Sequence, residues 1–210
     1  MPRPEGDGPR GIPSRIPPGT AAIITVAVFI AAVQEVQPEW LGLAQRDAQG
    51  LAAGEWWRVI TALFAFDGGP VQKLGTVFAA LALGLLAERR FGMVEWLIVA
   101  LVSGLAGEVV ALWWQPQGAS PSLAVAGLLG AVAVWLAWPA ARREDAQSAV
   151  LAIALARIGV GDAVFPVVAR GAAVFVAVLA VALTVVGDAH GVSIAVGAAL
   201  GAVFLRRPSG

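Results

Sequence analysis

Long apolar segments, separated by polar or mixed connections, make up most of the chain. A helix needs about 20 mostly apolar residues to cross the ~30 Å hydrocarbon core of a bilayer. Six segments approach or exceed this length, at residues 20–36, 71–87, 92–114, 121–138, 171–186 and 190–205. The pattern therefore predicts an all-α membrane protein built as a bundle of six transmembrane helices.

A seventh apolar stretch, residues 149–168, differs from these six because it contains residues that interrupt an apolar helix. They are Arg157, Gly161, Asp162 and Pro166. We predict an interfacial or broken segment here instead of a span. The connection 37–70 is mixed in polarity and carries paired tryptophans, which favours a position at the membrane interface.

Basic residues divide unequally between the two sides of a six-span chain. With the amino terminus inside, the cytoplasmic side holds Arg3, Arg10, Arg15, Arg89, Arg90, Arg142, Arg143, Arg157, Arg170, Arg206 and Arg207. The outer side holds only Arg46, Arg58 and Lys73. This excess follows the positive-inside rule and predicts a multi-pass protein of the cell membrane with both termini cytoplasmic. Counting 149–168 as a further span would place the last two arginines outside.

The two ends of the chain differ from its apolar body. Residues 1–19 are rich in Pro, Gly and Arg and have no apolar period, so we predict a disordered arm. The transmembrane domain follows over 20–205, with a short tail at 206–210. The first apolar segment could also be the core of a signal peptide, but no clean small-residue cleavage site follows it, which favours a retained helix.

Composition supports the membrane assignment and excludes several functions. The chain is 59% hydrophobic and 13% charged, whereas soluble domains carry about a quarter charged residues. Its formal net charge of zero suggests no nucleic-acid partner. With no cysteine and one histidine, the sequence argues against disulfides, a cysteine nucleophile and a zinc site, and we expect neither metal nor cofactor. It indicates no particular oligomeric state.

The single histidine, His190, lies at the start of the last apolar segment. Imidazole is the usual general base near neutral pH. His190 precedes Ser193 by three residues, and Ser193, Gly197 and Gly201 form a stripe of small residues that permits close helix approach. We therefore expect the histidine to face a neighbouring helix. From its position alone, a solvated residue at a helix end is an equal alternative.

The fourth segment offers a matching stripe at Ser122, Ala126 and Gly130. Ser120 and Pro121 are typical of an N-cap and a first helical position. Ser122 then lies in the first turn, where backbone N–H groups are unpaired and can stabilise an oxyanion. A small residue at a helix contact is the simpler interpretation. Under the six-span topology, this helix and the last one both begin at the non-cytoplasmic face, which brings the two serines level with the histidine.

Two acidic residues lie within the third apolar segment, 92–114. An ionisable residue inside a span is a candidate functional group. For Glu108 we favour instead a carboxylate that reaches the outer interface beside two tryptophans. We expect Glu95 to be solvated and to pair with Arg89 or Arg90.

Taken in order, several stretches resemble the rhomboid family of intramembrane serine proteases over about residues 20–205. They are GEWWRVITALFAF (54–66), GGPVQKLGTVFAALALGLLAERRFG (68–92), SGLAGE (103–108), SLAVAGLLGA (122–131) and AHGVSIAVG (189–197). The resemblance implies a rhomboid-like six-helix bundle whose substrates are transmembrane helices of other membrane proteins in the lipid bilayer. It also implies that Ser122 is the nucleophile and His190 its general base, a dyad with no acidic third member that opens to the non-cytoplasmic side.

The sequence departs from the family pattern around the expected oxyanion hole. Leu123 follows the serine where the family has glycine, and Gln72 and Thr76 stand where the family has histidine and asparagine. Gln72 and Thr76 can still donate hydrogen bonds. We therefore name Gln72, Thr76 and Leu123 as the candidate oxyanion residues. These departures also favour the alternative of an inactive rhomboid-fold protein that binds membrane helices as an adaptor or quality-control factor.

A second register makes Ser120 the nucleophile, because Gly118-Ala119-Ser120 preserves the first three residues of the family motif. That register breaks the spacing to Gly127, which favours Ser122. A small transporter ranks last among the functions, since the sequence shows no paired interrupted helices.

Overall fold

The computed structural model describes residues 16–138 and 165–206. Most of the predicted arm 1–19, most of the 149–168 segment and nearly all of the tail 206–210 lie outside these ranges. The described helices are α1 (Pro18–Val36), α2 (Glu39–Ala44), α3 (Ala48–Ala52), α4 (Arg58–Thr61), α5 (Pro70–Phe91), α6 (Met93–Trp114), α7 (Ser122–Ala137), α8 (Phe165–Val185) and α9 (Ala189–Leu205). Within these ranges no strand forms, and one β-bridge joins Arg46 to Gly118.

Helices α1, α5, α6 and α8 are long and apolar enough to cross a membrane. Helices α7 and α9 are apolar but shorter, with 16 and 17 residues. The predicted all-α class is therefore confirmed for the part of the chain that the structure describes, which holds four candidate spans, while the count of six stays a prediction. Each predicted segment matches a helix, and five of the six matches agree within a few residues.

The sixth match, α8, begins earlier than predicted. The helix starts at Phe165, so the last residues of the 149–168 segment belong to it and do not form an interfacial or broken segment. Pro166 is the second residue of α8. Proline is tolerated in the first turn because that N–H has no intrahelical acceptor. The prediction was wrong at these residues because it treated this proline as an interruption.

Helix α7 is the central helix of the bundle and packs against α5, α6, α8 and α9. None of its side chains is exposed. Helices α1 and α8 instead carry many exposed apolar side chains, such as Phe29 and Phe175, as lipid-facing helices do. The short α7 is thus enclosed by its neighbours, and its first residue, Ser122, lies at one end of the bundle.

Close backbone contact fixes the position of α9 on α7. A Cβ added at Gly197 would lie 1.9 Å from the carbonyl oxygen of Gly127, and one added at Gly130 would lie 2.1 Å from that of Ile194. The predicted small-residue stripe on α9 therefore does contact α7. On α7 the contact runs through Gly127 and Gly130, whereas Ala126 of the predicted stripe packs in a cluster with residues of α8.

A buried carboxylate anchors the start of α1. Glu88 of α5 accepts hydrogen bonds from the N–H groups of Gly19 and Thr20, at 2.9 and 2.5 Å, and from the Thr20 hydroxyl at 2.7 Å. The first N–H groups of a helix have no intrahelical acceptor, and the helix dipole favours a negative charge beside them. Glu88 thus joins α1 to α5 through neutral hydrogen-bond donors.

Candidate active site

Ser122 and His190 are brought together at the starts of two adjacent helices. Ser122 is the first residue of α7 and His190 the second residue of α9. The Ser122 Oγ lies 2.7 Å from the His190 Nε2. The side chains are partly buried, and about a third of the His190 side chain is exposed, at 32%. This contact pairs a hydroxyl with an imidazole as nucleophilic catalysis requires.

An acidic residue completes the arrangement, which the resemblance did not imply. Asp188 is the N-cap of α9, and its Oδ1 accepts the backbone N–H of His190 at 2.9 Å. The same oxygen lies 2.6 Å from the His190 Nδ1. Asp188 was not among the residues predicted from the sequence. It could have been, because an aspartate just before an apolar helix is a typical N-cap and this one lies two residues from the histidine.

These contacts assign the protons along a chain of hydrogen bonds. An ionised carboxylate can only accept, so the Nδ1 of His190 carries the hydrogen and donates it to Asp188. The Nε2 is then an acceptor, and the Ser122 hydroxyl donates to it. The Ser120 Oγ lies 2.5 Å from the Ser122 Oγ and donates in turn. The nucleophile candidate is thus already oriented towards its base.

The carboxyl of Asp188 is held in its ionised form. Burial alone would raise the pKa of Asp188, but the hydrogen bonds from the backbone and ring of His190 outweigh burial and lower it below the ordinary value. An ionised Asp188 is the form that accepts both hydrogen bonds. The residue therefore carries its negative charge over the whole neutral range.

Ser120 lies beside this chain of contacts but does not cap the helix. The helix starts at Ser122, Pro121 takes the N-cap position, and no side chain caps α7. The predicted N-cap role of Ser120 is therefore wrong, because its hydroxyl is turned to Ser122. In the described part of the chain, it is Ser122 and not Ser120 whose hydroxyl contacts His190.

Two of the three candidate oxyanion residues face the same small cavity as Ser122. Gln72 and Thr76 of α5 line it together with Ser120 and Ser122, and its volume is about 10 Å³. A volume of this order is close to the lower limit for one water molecule. The Gln72 side chain packs directly against Gly68. A Cβ added to Gly68 would lie 2.1 Å from the Gln72 Oε1, so the two could not both be accommodated.

Leu123, the third candidate, lies outside that cavity. Its side chain is 2% exposed and packs with Leu63, Ala111 and Ala189. Its N–H donates to the Ser120 carbonyl at 3.1 Å, so that group is already engaged. The N–H of Ser122 lies at the first position of α7, ahead of the first intrahelical hydrogen bond. The N–H of Ser122 is thus a candidate donor within the first helical turn that the sequence indicates.

A buried ion pair holds the loop that leads into Ser122. Arg46 pairs with Glu108, whose side chain is fully buried, and donates to the Gln115 carbonyl through Nε and Nη2 at 3.1 and 2.7 Å. Its backbone exchanges two hydrogen bonds with Gly118, at 2.8 and 3.0 Å. Asp67 accepts the N–H of Ala119 at 2.9 Å. The prediction that the Glu108 carboxylate reaches out to the interface is therefore wrong, because the side chain is fully buried and pairs with Arg46, as a carboxylate buried this deeply requires.

Within residues 16–138 and 165–206, no three histidine or acidic side chains are grouped so that they could hold a metal ion. The expectation of no metal or cofactor stays a prediction.

The comparison with known proteins agrees with the architecture. Residues 53–207 of the 210-residue chain match the family model described as the Rhomboid domain, so the chain belongs to the rhomboid family. With its candidate spans, it is a multi-pass membrane protein. It is similar to Rhomboid protease GluP of Bacillus subtilis (strain 168), with 31% identity over 83 residues. That match covers 39% of this chain and 16% of the length of GluP.

Proposed function

We propose that this protein is an intramembrane serine endopeptidase that hydrolyses peptide bonds in or near transmembrane helices of membrane-protein substrates. Ser122 is the nucleophile and His190 the general base. The observation that carries the proposal is the 2.7 Å contact between the Ser122 hydroxyl and the His190 Nε2, at the ends of two helices whose backbones touch. Membership of the rhomboid family and the similarity to a rhomboid protease support it.

The reaction uses the proton order of the site. The Ser122 Oγ attacks the scissile carbonyl carbon while its proton passes to the His190 Nε2. His190 then gives this proton to the leaving amine, and the C–N bond breaks to leave an ester on Ser122. A water molecule, deprotonated by the same nitrogen, hydrolyses the ester and restores the serine.

The negative charge on the carbonyl oxygen develops beside the small cavity. The N–H of Ser122 is the backbone donor proposed to bind it, and the side chains of Gln72 and Thr76 line the cavity from α5. Donors aimed at a developing oxyanion stabilise the transition state more than the ground state. Gln72 and Thr76 thus take the place of the usual histidine and asparagine donors.

Substrates of the proposed enzyme are apolar segments. A larger cavity of about 90 Å³ lies between α1, α5, α6 and α7, and no charged residue lines it. It shares Phe66, Thr76 and Pro121 with the small cavity beside Ser122. An apolar surface next to the nucleophile, partly open to the surroundings of the bundle, suits the apolar side chains of a membrane helix better than those of a soluble polypeptide.

The proposed topology has six spans, with α7 and α9 as the short fourth and sixth. At 1.5 Å per residue these helices are about 24 and 26 Å long, slightly less than the ~30 Å hydrocarbon core. Because α7 is enclosed by protein, its ends can lie below the headgroups in a cavity that admits water. The bias of basic residues supports a topology with both termini in the cytoplasm and the Ser122 end at the non-cytoplasmic face of the cell membrane.

The second candidate is a rhomboid-fold protein without protease activity that binds membrane helices. The observation favouring it is the oxyanion side, where the Leu123 N–H is engaged by Ser120 and the usual donors are replaced. In that case the hydrogen-bonded Ser122 and His190 would be remnants of an ancestral site.

Cleavage of a single-span model substrate by the full chain in liposomes distinguishes the two candidates. We expect the wild-type protein to cut, and Ser122→Ala to lower kcat at least about 10³-fold because it lacks the nucleophile. Ser120→Ala is the matched control. Loss of one neutral hydrogen bond, ~1 kcal/mol, lowers kcat about tenfold or less.

Two outcomes would contradict the proposal. Folded wild-type protein that binds the model substrate without Ser122-dependent cleavage would support the adaptor. Activity lost in Ser120→Ala but kept in Ser122→Ala would transfer the nucleophile to Ser120.

A further inference from the structure

Asp188 contacts the base candidate from the side opposite Ser122. Its Oδ1 lies 2.6 Å from the His190 Nδ1, while the Ser122 Oγ lies 2.7 Å from the Nε2. We propose that Asp188 is a positioning residue that orients His190 and stabilises the imidazolium formed when Ser122 is deprotonated. This inference rests on the proposed protease function, and it turns a dyad into a three-residue arrangement.

One oxygen of Asp188 makes both of its contacts with His190. The Oδ1 accepts the backbone N–H at 2.9 Å and faces the ring nitrogen at 2.6 Å. The backbone hydrogen bond fixes the carboxylate at the helix start. The ring hydrogen bond then fixes the rotation of the imidazole, so that Nε2 is directed at Ser122. Helix capping and base orientation thus depend on the same atom.

Ionised Asp188 also selects the useful tautomer. A carboxylate accepts only a donor, which places the hydrogen of a neutral ring on Nδ1 and leaves Nε2 free to take the serine proton. When that proton arrives, the ring becomes positive beside a negative carboxylate. The orientation and charge stabilisation match the role of the aspartate in other serine proteases.

Partial exposure limits the size of this effect. The Asp188 and His190 side chains are 31% and 32% exposed, so water screens their interaction. In a fully enclosed triad, replacing the aspartate by asparagine lowers kcat about 10⁴-fold. Here we expect a smaller loss, of about 10- to 100-fold.

Other charged groups near the site do not replace Asp188. In the described residues, Asp188 is the one acidic side chain that contacts His190. Helix α7 carries no titratable residue. On α6, Glu108 is paired with Arg46, and Glu95 lies near the opposite end of the helix. Arg170 lies near the start of α8, away from the end that leads into α9.

The small cavity adds two further charged residues that face Ser122 from the other side. They are Asp67 and Lys73. Asp67 accepts the N–H of Ala119, and Lys73 pairs with Glu35 at 2.6 Å. Each of these groups therefore has its own partner.

The test separates a positioning role from helix capping by using Asp188→Asn. Asparagine is as good an N-cap as aspartate and keeps an acceptor oxygen, but it lacks the charge. We expect kcat for the model substrate to fall about 10- to 100-fold, with KM unchanged and only a small fall in Tm at neutral pH, where the charge of Asp188 stabilises the folded state. Asp188→Glu should restore part of the loss. The matched control is Asp47→Asn, because Asp47 caps α3 through Gly50 and we expect kcat to stay unchanged.

A second measurement tests Asp188 without any need for turnover. Because the chain has one histidine, ¹⁵N-histidine labelling yields NMR signals from His190 alone. We expect the neutral ring to carry its hydrogen on Nδ1 in the wild type, and to shift towards the Nε2–H tautomer in Asp188→Ala.

The outcomes distinguish this inference from the proposed function. Wild-type protein without Ser122-dependent turnover would contradict the protease, while the tautomer would still test Asp188. Unchanged kcat in Asp188→Asn, or an Nε2–H tautomer in the wild type, would overturn the role of Asp188 even in an active enzyme. If kcat and Tm fell together in Asp188→Ala while Asp188→Asn kept the wild-type kcat, Asp188 would act as a helix cap alone.

Discussion

The base side and the oxyanion side of the site differ in how firmly they are built. On the base side, Ser120, Ser122, His190 and Asp188 form a continuous chain of contacts of 2.5 to 2.7 Å. The residues of this chain of contacts lie at or just before the starts of α7 and α9, two helices whose backbones are in contact. On the oxyanion side, Gln72 and Thr76 line a cavity from α5, a helix with few fully buried residues.

Helix packing explains why the positions of the side chains are fixed more tightly on the base side than on the oxyanion side. The α7–α9 contact leaves no space for even a methyl group between Gly127 and Gly197. Helix α5 packs on α7 through larger side chains and a cavity. Under the proposed function, the two central helices would preorganise proton transfer from Ser122 to His190, while oxyanion stabilisation would depend on where α5 lies.

The largest effect is expected from replacing Arg46, the residue that holds the loop before Ser122, because this change should disturb both the base side and the oxyanion side of the site. Arg46→Met leaves Glu108 buried without its cation, which costs about 3–5 kcal/mol of stability. We expect a large fall in Tm measured by thermal unfolding in detergent. The control is the double variant Arg46→Met/Glu108→Leu, which should recover most of the stability. A single variant as stable as the wild type would contradict the importance of this ion pair.

The next effect breaks the base side alone. In Gly197→Ala the new Cβ would lie 1.9 Å from the Gly127 carbonyl oxygen, so α9 must move and His190 moves with it. A displacement near 1 Å costs about 10²-fold in rate, which cleavage kinetics would measure. The matched control is Gly171→Ala on α8, where an added Cβ meets nothing within 4 Å. Equal activity of the two variants would refute a rigid base side.

A smaller effect should follow from changes on the oxyanion side. Removing a fully enclosed oxyanion donor lowers kcat 10²–10³-fold. Gln72 is exposed, so water competes with its hydrogen bond to the oxyanion and the effect should be smaller. We expect Gln72→Leu and Thr76→Val each to lower kcat about tenfold with little change in KM. Gly75→Ala, on the same helix with nothing within 4 Å of the new Cβ, is the control. An unchanged kcat in both variants would contradict a role for Gln72 and Thr76 and leave the N–H of Ser122 as the proposed oxyanion donor.

The smallest expected effect is the acid sensitivity of the base side. The pKa of Asp188 is lowered from 3.8, so its ionisation stabilises the folded state fully above that value. The contribution is lost as the pH falls below 3.8 through the lowered pKa. Thermal unfolding between neutral and acidic pH should show a steeper loss for the wild type than for Asp188→Asn. Identical curves would contradict this linkage.

The sequence predicted local features well and long-range partners poorly. Helix bounds followed from runs of apolar residues, and the small-residue stripe on α9 correctly indicated a close neighbour for His190. Glu108 was misplaced because its partner, Arg46, lies 62 residues earlier in a connection that hydropathy does not resolve. The contact of Asp188 with the ring depends on the geometry of the helix start. That geometry is local, so the signal was present in the sequence but was not used.

In the proposed mechanism, His190 activates Ser122 for attack. Labelling with a fluorophosphonate tests this step, because an activated serine displaces the fluoride and forms an adduct that mass spectrometry can map. We expect an adduct on Ser122 in the folded wild-type protein and its loss in His190→Ala. An adduct on Ser120, or equal labelling of Ser122 with and without His190, would contradict it.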